Sequence, residues 1–307
     1  MYEQLGEKTG GDMKDHIQSG ILDDVPAHSR YLSFSVDADE NLASALKKLA
    51  LFADGEKVVV GIGKPIVDAL KKSIPGLIDF PHFPDTQIEI PTTQKALWCW
   101  LRGSDRGHLV HTSRAVIKLL DDALVCDSII DGFRYGIGRD LTGYEDGTEN
   151  PEGSEAIAAA IYTSNDDALN GSSFVAVQQW VHDLDDFLTR PQDEQDETIG
   201  RRRSDNEEMD DAPVTAHVKR AAQEDYDPEA FILRRSMPWA DAAHEGLVFV
   251  AFGKSFGAFN AILTRMIGED DGQVDALFSF TTPVSGSYFW CPPICKGSLN
   301  LKALGLK

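Results

Sequence analysis

Hydrophobic and polar residues alternate with two different periods along the chain. In "RYLSFSVD" the apolar residues Leu32, Phe34 and Val36 recur at every second position, which predicts a strand with one buried face. The next segment has apolar residues at three- and four-residue spacing, which predicts a helix. The strand-like "KALWCWL", a second helical pattern and the strand-like "DSIIDGFRYGIG" complete the first half.

The second half repeats this order of patterns. The strand-like "SSFVAVQQW" and "GLVFVAFG" are each followed by a helical pattern, and "DALFSF" and "SYFWC" are predicted as a closing strand pair. We therefore predict an α+β fold of two duplicated ferredoxin-like halves, with antiparallel sheets and peripheral helices, whose sheets can enclose a ligand. We place the halves at residues 1–150 and 151–307.

One segment of the second half lacks any apolar period. Residues 190–213, "RPQDEQDETIGRRRSDNEEMDDAP", are densely charged. A long loop is predicted here, and loops beyond about 15 residues in a compact domain are usually functional or disordered.

Charge and composition narrow the classes of partner. The 29 basic and 50 acidic residues give a net charge of -21, which disfavours binding to nucleic acid and to anionic membranes. No apolar run approaches the roughly 20 residues of a membrane helix, and "MYEQLGEKTGGDMKDH" lacks the pattern of an export signal. We expect a cytoplasmic protein. Cys291 and Cys295 have no second Cys or His pair nearby with which to form a metal site.

The stretch "GYEDGTENP" at residues 143–151 surrounds Asp146 with turn-forming residues. One interpretation is a plain connecting turn, since Gly and Pro favour such turns. The other is a functional loop that presents Asp146, and the neighbouring residues must decide between the two.

Three further basic side chains allow two interpretations each. His217, between Val214 and Val218, is either a half-buried structural histidine or a ligand-binding group. Arg234 and Arg235 follow an apolar run, so one points to each face of a strand, unless both lie in water at a sheet edge.

Taken together, "GYEDGTENP", "HVKRAA" and "ILRRSMPW" resemble, in order and rough spacing, the dye-decolorizing peroxidases. "IGRRRSD" and "FTTPVSGSYFW" extend the resemblance, which is strongest to the short bacterial branch without an export signal. It implies haem b (iron protoporphyrin IX) in a pocket of the second half. The implied activity is reduction of hydrogen peroxide and one-electron oxidation of bulky aromatic or dye-like substrates.

The resemblance also assigns roles to residues. His217 is implied as the proximal iron ligand, Asp146 as the distal acid–base group and Arg234 as the distal cation. Ser236 stands two positions after this arginine, where relatives often have an amide. Because an ordinary aspartic acid titrates near pH ~3.9 and a histidine near ~6.5, an acidic working pH is expected.

Cofactor contacts are expected from three regions. Arg201 is implied as a propionate partner, since a guanidinium matches a carboxylate. The aspartate loop is expected to contribute Gly147, Thr148, Glu149 and Asn150. The macrocycle is expected to be lined by Phe249, Leu263 and Met266, although ordinary core positions would show the same spacing.

The partner of the proximal histidine is harder to predict. An acidic residue is expected near the closing strand, where "DALFSFTTPVSG" offers Ser279 instead. Tyr144 and Trp239 are candidates for passing electrons to the surface, with ordinary packing as the alternative.

Two other functions fit the same residues. One is a haem-handling or haem-storage protein with incidental peroxidase activity, and the other is a binding domain for a different ligand in which His217 is structural. A homo-oligomer is expected. The tail "GSLNLKALGLK" weakly resembles cargo signals for encapsulin shells, so such a shell is a candidate partner.

Overall fold

The computed structural model describes residues 16–84 and 86–306. Its strands are β1 His28–Val36, β2 Val58–Ile62, β3 Leu97–Gly103, β4 Leu124–Phe133, β5 Ile161–Tyr162, β6 Ser172–His182, β7 Leu233–Arg234, β8 Met237–Ala240, β9 Glu245–Gly253, β10 Thr281–Pro283, β11 Ser287–Cys291, β12 Ile294–Cys295 and β13 Ser298–Leu299. Its α-helices are α1 Leu42–Phe52, α2 Lys64–Ala69, α3 Arg106–Leu120, α4 Gly153–Ala160, α5 Leu184–Thr189, α6 Gln192–Ile199, α7 His217–Arg220 and α8 Gly257–Met266.

The main sheet is antiparallel and contains strands from both ends of the chain. Neighbouring strands run in the order β2-β3-β1-β4 in the first part and β8-β9-β6-β11 in the second. Single residue pairs join the two groups, Ile62 with Trp290 and Gly132 with Trp239. These pairings close the eight strands into a ring. The prediction of an α+β fold with antiparallel strands and peripheral helices is confirmed.

Aromatic side chains fill the space inside the ring. Tyr31, Trp98, Trp100, Phe252 and Phe289 are each at most 2% exposed, and their neighbouring ring centroids lie 6.1–6.4 Å apart. Such close packing fills the space between the inward faces of the two strand groups. The expectation that the two sheets enclose a ligand between them is therefore wrong, because that space is core.

The outward face of the second strand group packs against α8. Alternation along β9 sends Val248 and Val250 into the ring and Leu247 and Phe249 to the opposite face. A helix that covers this face leaves a cavity between itself and the sheet, described below. Within residues 16–84 and 86–306, no helix is both long and apolar enough to span a bilayer.

Two predicted segments differ from the structure. The charged segment predicted as a loop contains α6, which is held by polar packing instead of an apolar stripe, since Gln195 and Thr198 are its buried residues. Gly200 ends it in the left-handed conformation (φ 92°). Residues 275–280, predicted as a strand, form a 3₁₀ turn because the Asp275 carboxylate accepts a hydrogen bond from the Leu277 backbone N–H at 2.8 Å.

The C-terminal tail packs onto the chain itself. Leu299, Leu301 and Leu304 are 6%, 5% and 1% exposed and belong to the main hydrophobic core beside α1. These leucines are therefore buried within this chain and not presented to a partner.

The loop that carries Asp146 is tied to the sheet through a buried charged group. The Asp140 carboxylate accepts hydrogen bonds from His182 Nε2 at 3.1 Å and from Thr142 Oγ1 at 2.7 Å. His182 Nδ1 lies 2.6 Å from Thr281 Oγ1. The loop is thus connected to the ends of β6 and β10, and the Asp146 backbone N–H donates to the Gly138 carbonyl at 3.0 Å.

The environment of Asp140 makes this anchor dependent on pH. Burial alone raises the pKa of Asp140, but hydrogen bonds and the charge of His182, together with hydrogen bonds from Thr142, outweigh burial and hold the pKa below its ordinary value. A carboxylate with a lowered folded-state pKa stabilises the fold above its unfolded pKa of about 3.9, and this stabilisation is lost as the pH falls through the folded-state value.

We expect Asp140→Asn to lower the free energy of unfolding at pH 7 by roughly 1–3 kcal/mol, because a buried hydrogen-bonded charge is lost. The difference between variant and parent should shrink as the pH falls below about 4. Urea unfolding followed by circular dichroism at pH 7 and pH 3.5 measures both effects. Asp211→Asn, at an exposed position, is the control, and an equal pH dependence in all three proteins would contradict the assignment.

Candidate active site

A cavity of about 1070 Å³, measured out to its mouth, lies between α8 and the outward face of β6 and β9. The apolar wall comprises Ile232, Leu247, Phe249, Phe259, Ile262, Leu263 and Met266. The three predicted residues Phe249, Leu263 and Met266 thus line a cavity and also belong to or pack on the main core.

His217 is the first residue of the short helix α7 and lines this cavity. Its Nδ1 lies 2.8 Å from Oδ2 of Asp275, whose side chain is fully buried. The other Asp275 oxygen accepts the Leu277 backbone N–H. The carboxylate is therefore fixed on both sides, and it fixes the ring of His217. Within the described residues the Nε2 atom of His217 has no hydrogen-bond partner.

The acidic partner of His217 is Asp275. The prediction that Ser279 stands in this place is therefore wrong. The Ser279 hydroxyl accepts a hydrogen bond from Arg190 Nη1 at 2.9 Å and lies outside this arrangement. Asp275 precedes the apolar run "ALF", and a strand interpretation of that run hides its capping role. A turn interpretation would have identified the carboxylate.

Asp146 and Arg234 lie together in the cavity wall, with Arg234 Nη1 3.5 Å from Asp146 Oδ1. Their side chains are 22% and 17% exposed, and the Nε of Arg234 is buried without a hydrogen-bond partner in the described part of the chain. Arg235 points away, and its guanidinium donates to the carbonyls of Ile21 and Leu22. The prediction of one arginine on each strand face is confirmed, and the sheet-edge alternative is wrong.

Asn150 connects the aspartate loop to the strand that carries Arg234. Its amide nitrogen donates to the Arg234 carbonyl at 3.0 Å, and its amide oxygen accepts the Arg234 backbone N–H at 2.8 Å. Gly147 has φ 83°, and a Cβ at this position would lie 2.8 Å from the Asn150 amide nitrogen. The loop therefore needs glycine here, and the spacing of Asp146 from Arg234 depends on this two-bond contact.

Arg201 lies near His217 in an adjoining cavity that also contains Thr148, Glu149 and Arg234. Its Nη2 lies 2.5 Å from Glu149 Oε1, and its side chain is 12% exposed. Thr148 Oγ1 accepts a hydrogen bond from an asparagine of the neighbouring loop. Arg201, Thr148 and Glu149 thus line one adjoining cavity, whose wall also includes His217 and Arg234.

The main cavity also contains polar residues that were not predicted from the sequence, among them Asp140, Gln178, Trp180 and His182. Asp140 and His182 belong to the loop anchor. Gln178 and Trp180 line the cavity, and each has a buried side-chain N–H group without a hydrogen-bond partner within the described residues. Gln178, Trp180 and His182 alternate along β6. Polar atoms at every second position of a buried strand were the available signal.

Ser236 lies beside the Asp146–Arg234 pair in a second cavity, and its hydroxyl oxygen accepts the Val250 backbone N–H at 3.3 Å. Tyr144 and Trp239 are each only 4% exposed. The Tyr144 hydroxyl donates to Asp196 and the Trp239 N–H donates to a backbone carbonyl. Both rings are packed in the interior, as in the packing alternative, and a role in passing electrons to the surface stays a prediction.

Comparisons with known proteins give one family. The family described as "Dyp-type peroxidase, C-terminal" matches residues 138–296, about half of the chain. The dye-decolorizing peroxidase of Rhodococcus erythropolis is 30% identical over 92% of this chain and 80% of that protein. The dye-decolorizing peroxidase of Mycobacterium tuberculosis is 29% identical over 85% of this chain and 83% of that protein.

Solved structures agree with these matches. The dye-decolorizing protein from V. cholerae superposes with a TM-score of 0.82 at 27% identity, covering 94% of this chain and 99% of that one. A DypB variant from Rhodococcus jostii in complex with heme superposes with a TM-score of 0.78 at 26% identity, covering 89% and 94%. Sequence and fold together show that this chain belongs to the dye-decolorizing peroxidase family.

Proposed function

We propose that the chain is a haem peroxidase that reduces hydrogen peroxide and oxidises bulky aromatic or dye-like substrates in one-electron steps. The observation that carries the proposal is a single cavity that contains a carboxylate-backed histidine together with an aspartate–arginine pair. Family membership supports the same activity. A haem-storage protein would need the cavity and the histidine, but the Asp146–Arg234 pair has no purpose in storage.

The residues present fit a haem group. Haem b has a flat apolar body, a carboxylate edge and an iron that accepts imidazole nitrogen. The cavity has a largely apolar wall, a histidine Nε2 without a partner and the unpartnered Nε of Arg234, within the described residues. A relative of this fold is a heme complex, and we assign haem b to this cavity in the second half of the chain.

His217 would hold the iron through Nε2. Because its Nδ1–H can donate to Asp275, the ring keeps the tautomer that leaves Nε2 free and gains electron density from the carboxylate. Arg201 would pair with a propionate, and the loop residues Gly147, Thr148, Glu149 and Asn150 would surround this edge. When bound, haem would supply the redox chemistry that couples the two-electron reduction of one peroxide to the one-electron oxidation of two reductant molecules.

Asp146 and Arg234, in the wall of the same cavity, would handle protons and charge. Asp146 accepts a proton from one peroxide oxygen and returns it to the other, so that one peroxide and two hydrogen-donating reductant molecules give two waters and two reductant radicals. Arg234, 3.5 Å from Asp146, stabilises the negative charge that develops as the O–O bond breaks. Ser236 accepts a backbone N–H and keeps its hydroxyl proton available for a hydrogen bond beside this pair.

The strand order supports the duplicated ferredoxin-like architecture that we propose. Each group of four strands follows the pattern β-α-β-β-α-β along the chain, with corresponding strand orders in the sheet. We retain the division into residues 1–150 and 151–307. Asp146 then comes from the end of the first half, and His217 and Arg234 come from the second.

Three predictions about the partners and the cellular location of the protein stay predictions. They are a homo-oligomer, a cytoplasmic location and binding to an encapsulin shell. Docking of the tail into a shell requires Leu301 and Leu304 to leave the core in which they are buried, so the encapsulin prediction carries an energetic cost of several kcal/mol.

We expect His217→Ala to abolish or greatly weaken haem binding, because the iron loses its only strong bond to the protein. Haem titration followed by the Soret absorbance measures the affinity. Asp275→Asn should retain haem but raise the reduction potential, since the imidazole loses its negatively charged partner. His108→Ala, at an exposed position of α3, is the control. Unchanged haem affinity in His217→Ala would contradict the assignment.

We expect Arg234→Leu and Asp146→Asn to slow the reaction with peroxide by about 10²–10⁴-fold, as is typical when a charge-stabilising or proton-transferring group is removed. Haem occupancy should change much less. Stopped-flow absorbance after mixing with peroxide measures the rate, and Arg114→Leu, at an exposed position of α3, is the control. If both variants react at the parent's rate, the distal assignment is wrong.

A further inference from the structure

Five steps along the chain have an aspartate or asparagine directly before a glycine. They are Asp54–Gly55, Asp131–Gly132, Asp146–Gly147, Asn170–Gly171 and Asp271–Gly272. At such a step the backbone nitrogen of the glycine can attack the side-chain carbonyl carbon of the preceding residue and close a five-membered succinimide ring. Glycine favours this attack because no Cβ shields its nitrogen. The reaction is fastest where neither group is held by hydrogen bonds, and the structure decides at which step this is so.

At four of the five steps the glycine nitrogen is held. Three of these glycines donate a hydrogen bond to a backbone carbonyl oxygen: Gly55 to Val58 at 3.2 Å, Gly171 to Tyr162 at 3.0 Å and Gly272 to Gly268 at 2.8 Å. The fourth, Gly132, lies inside β4, where it pairs with Ser29 of β1 and with Trp239 of β8. A nitrogen held in this way has to lose its hydrogen bond before it attacks.

The side-chain oxygens at the same four steps are held as well. Their donors are three backbone N–H groups for Asp54, the guanidinium of Arg30 for Asp131, the backbone N–H of Ser164 for Asn170 and the guanidinium of Arg220 for Asp271. Each of these side chains therefore has to lose at least one hydrogen bond before it turns toward the glycine nitrogen.

The step at Asp146 has neither restraint. Within the described residues, the Gly147 backbone N–H has no hydrogen-bond acceptor and the Asp146 carboxylate accepts no hydrogen bond. The carboxylate lies 3.5 Å from Arg234 Nη1, and the Asp146 side chain is 22% exposed. Asp146 also lines both the main cavity and the second cavity beside it, so water can reach this step. Both reacting groups are thus free of hydrogen bonds, and water has access to open the ring.

We propose that Asp146–Gly147 is a site of spontaneous backbone rearrangement, at which Asp146 converts to isoaspartate. The Gly147 nitrogen forms a bond to Cγ of Asp146, and the amide proton and the carboxyl OH group leave as water. A second water molecule then opens the ring at either carbonyl. Opening at the former backbone carbonyl leaves the chain running through Cβ and Cγ, with the carboxylate attached to Cα. The backbone gains one methylene group and the carboxylate loses its place beside Arg234. This modification goes beyond the peroxidase reaction and requires no cofactor.

Asp146→Asn makes ring closure at this step measurable by mass spectrometry. An asparagine closes the same ring and releases ammonia, and hydrolysis of the ring then leaves OH in place of NH₂, which raises the mass of the peptide. The haem-loaded variant is incubated at pH 7 and digested with chymotrypsin. Cleavage after Tyr144 and Tyr162 places position 146 and Asn170 in separate peptides. The step Asn170–Gly171 of the same molecule is therefore the internal control.

We expect position 146 to deamidate roughly 10- to 30-fold faster than Asn170, because two hydrogen bonds have to break at Asn170–Gly171 and each slows the reaction about fivefold. Asp54→Asn is the matched variant at a step whose two groups are held. Position 54 should deamidate as slowly as Asn170 or more slowly. Circular dichroism checks the fold of both variants. If Asp54→Asn does not fold, the comparison of positions 146 and 170 within one molecule still decides the outcome.

The parent protein tests the same step without a substitution. After incubation and digestion, isoaspartyl methyltransferase methylates peptides that contain isoaspartate and leaves those with aspartate unmodified. We expect methylation to appear first in the peptide that contains Asp146, ahead of the peptides with Asp54, Asp131 and Asp271. Deamidation at position 146 no faster than at Asn170, or isoaspartate at another Asp–Gly step before Asp146, would overturn the proposal.

Discussion

The antiparallel pairing of β6 with β9 is the constraint on which the rest of the structure depends. It runs from Phe174–Gly253 to Val181–Gly246 and closes the ring of strands. Side chains alternate between the two faces of a strand, so this one pairing contributes both to the packed interior of the ring and to the wall of the main cavity. The cavity therefore stands on a rigid sheet whose other face is tightly packed. A site on such a support holds its geometry within narrow limits.

A few buried hydrogen bonds bring chemically active side chains to that wall from distant parts of the chain. Asn150 fixes Asp146 relative to Arg234, and Asp275 fixes His217. Each such contact contributes on the order of 1–3 kcal/mol when a buried partner would otherwise be left unsatisfied. The residues that orient the site are thus as specific as those that touch ligands, and their polar side chains are retained in the interior for that reason.

The chain's periodic patterns were sufficient to predict the α+β class, the repeated order of elements and most strand positions, because these depend on local alternation of apolar and polar residues. Glycine and arginine placement also allowed the prediction of the Asp146 loop and of opposite faces for Arg234 and Arg235. These are properties of short segments. Their physical basis, backbone freedom and strand alternation, is encoded within a few residues.

Contacts between distant segments were decided only by the tertiary structure. The helix α6 lacks an apolar stripe and is held by polar packing, so no local pattern predicts it. Asp275 was hidden in a run that resembles a strand, and its role depends on a hydrogen bond to His217, 58 residues away. The second cavity, beside the Asp146–Arg234 pair, combines a loop of the first half with Arg234 and Ser236 of the second. Such a cavity exists only after the sheet closes, because each segment contributes too few atoms to define it alone.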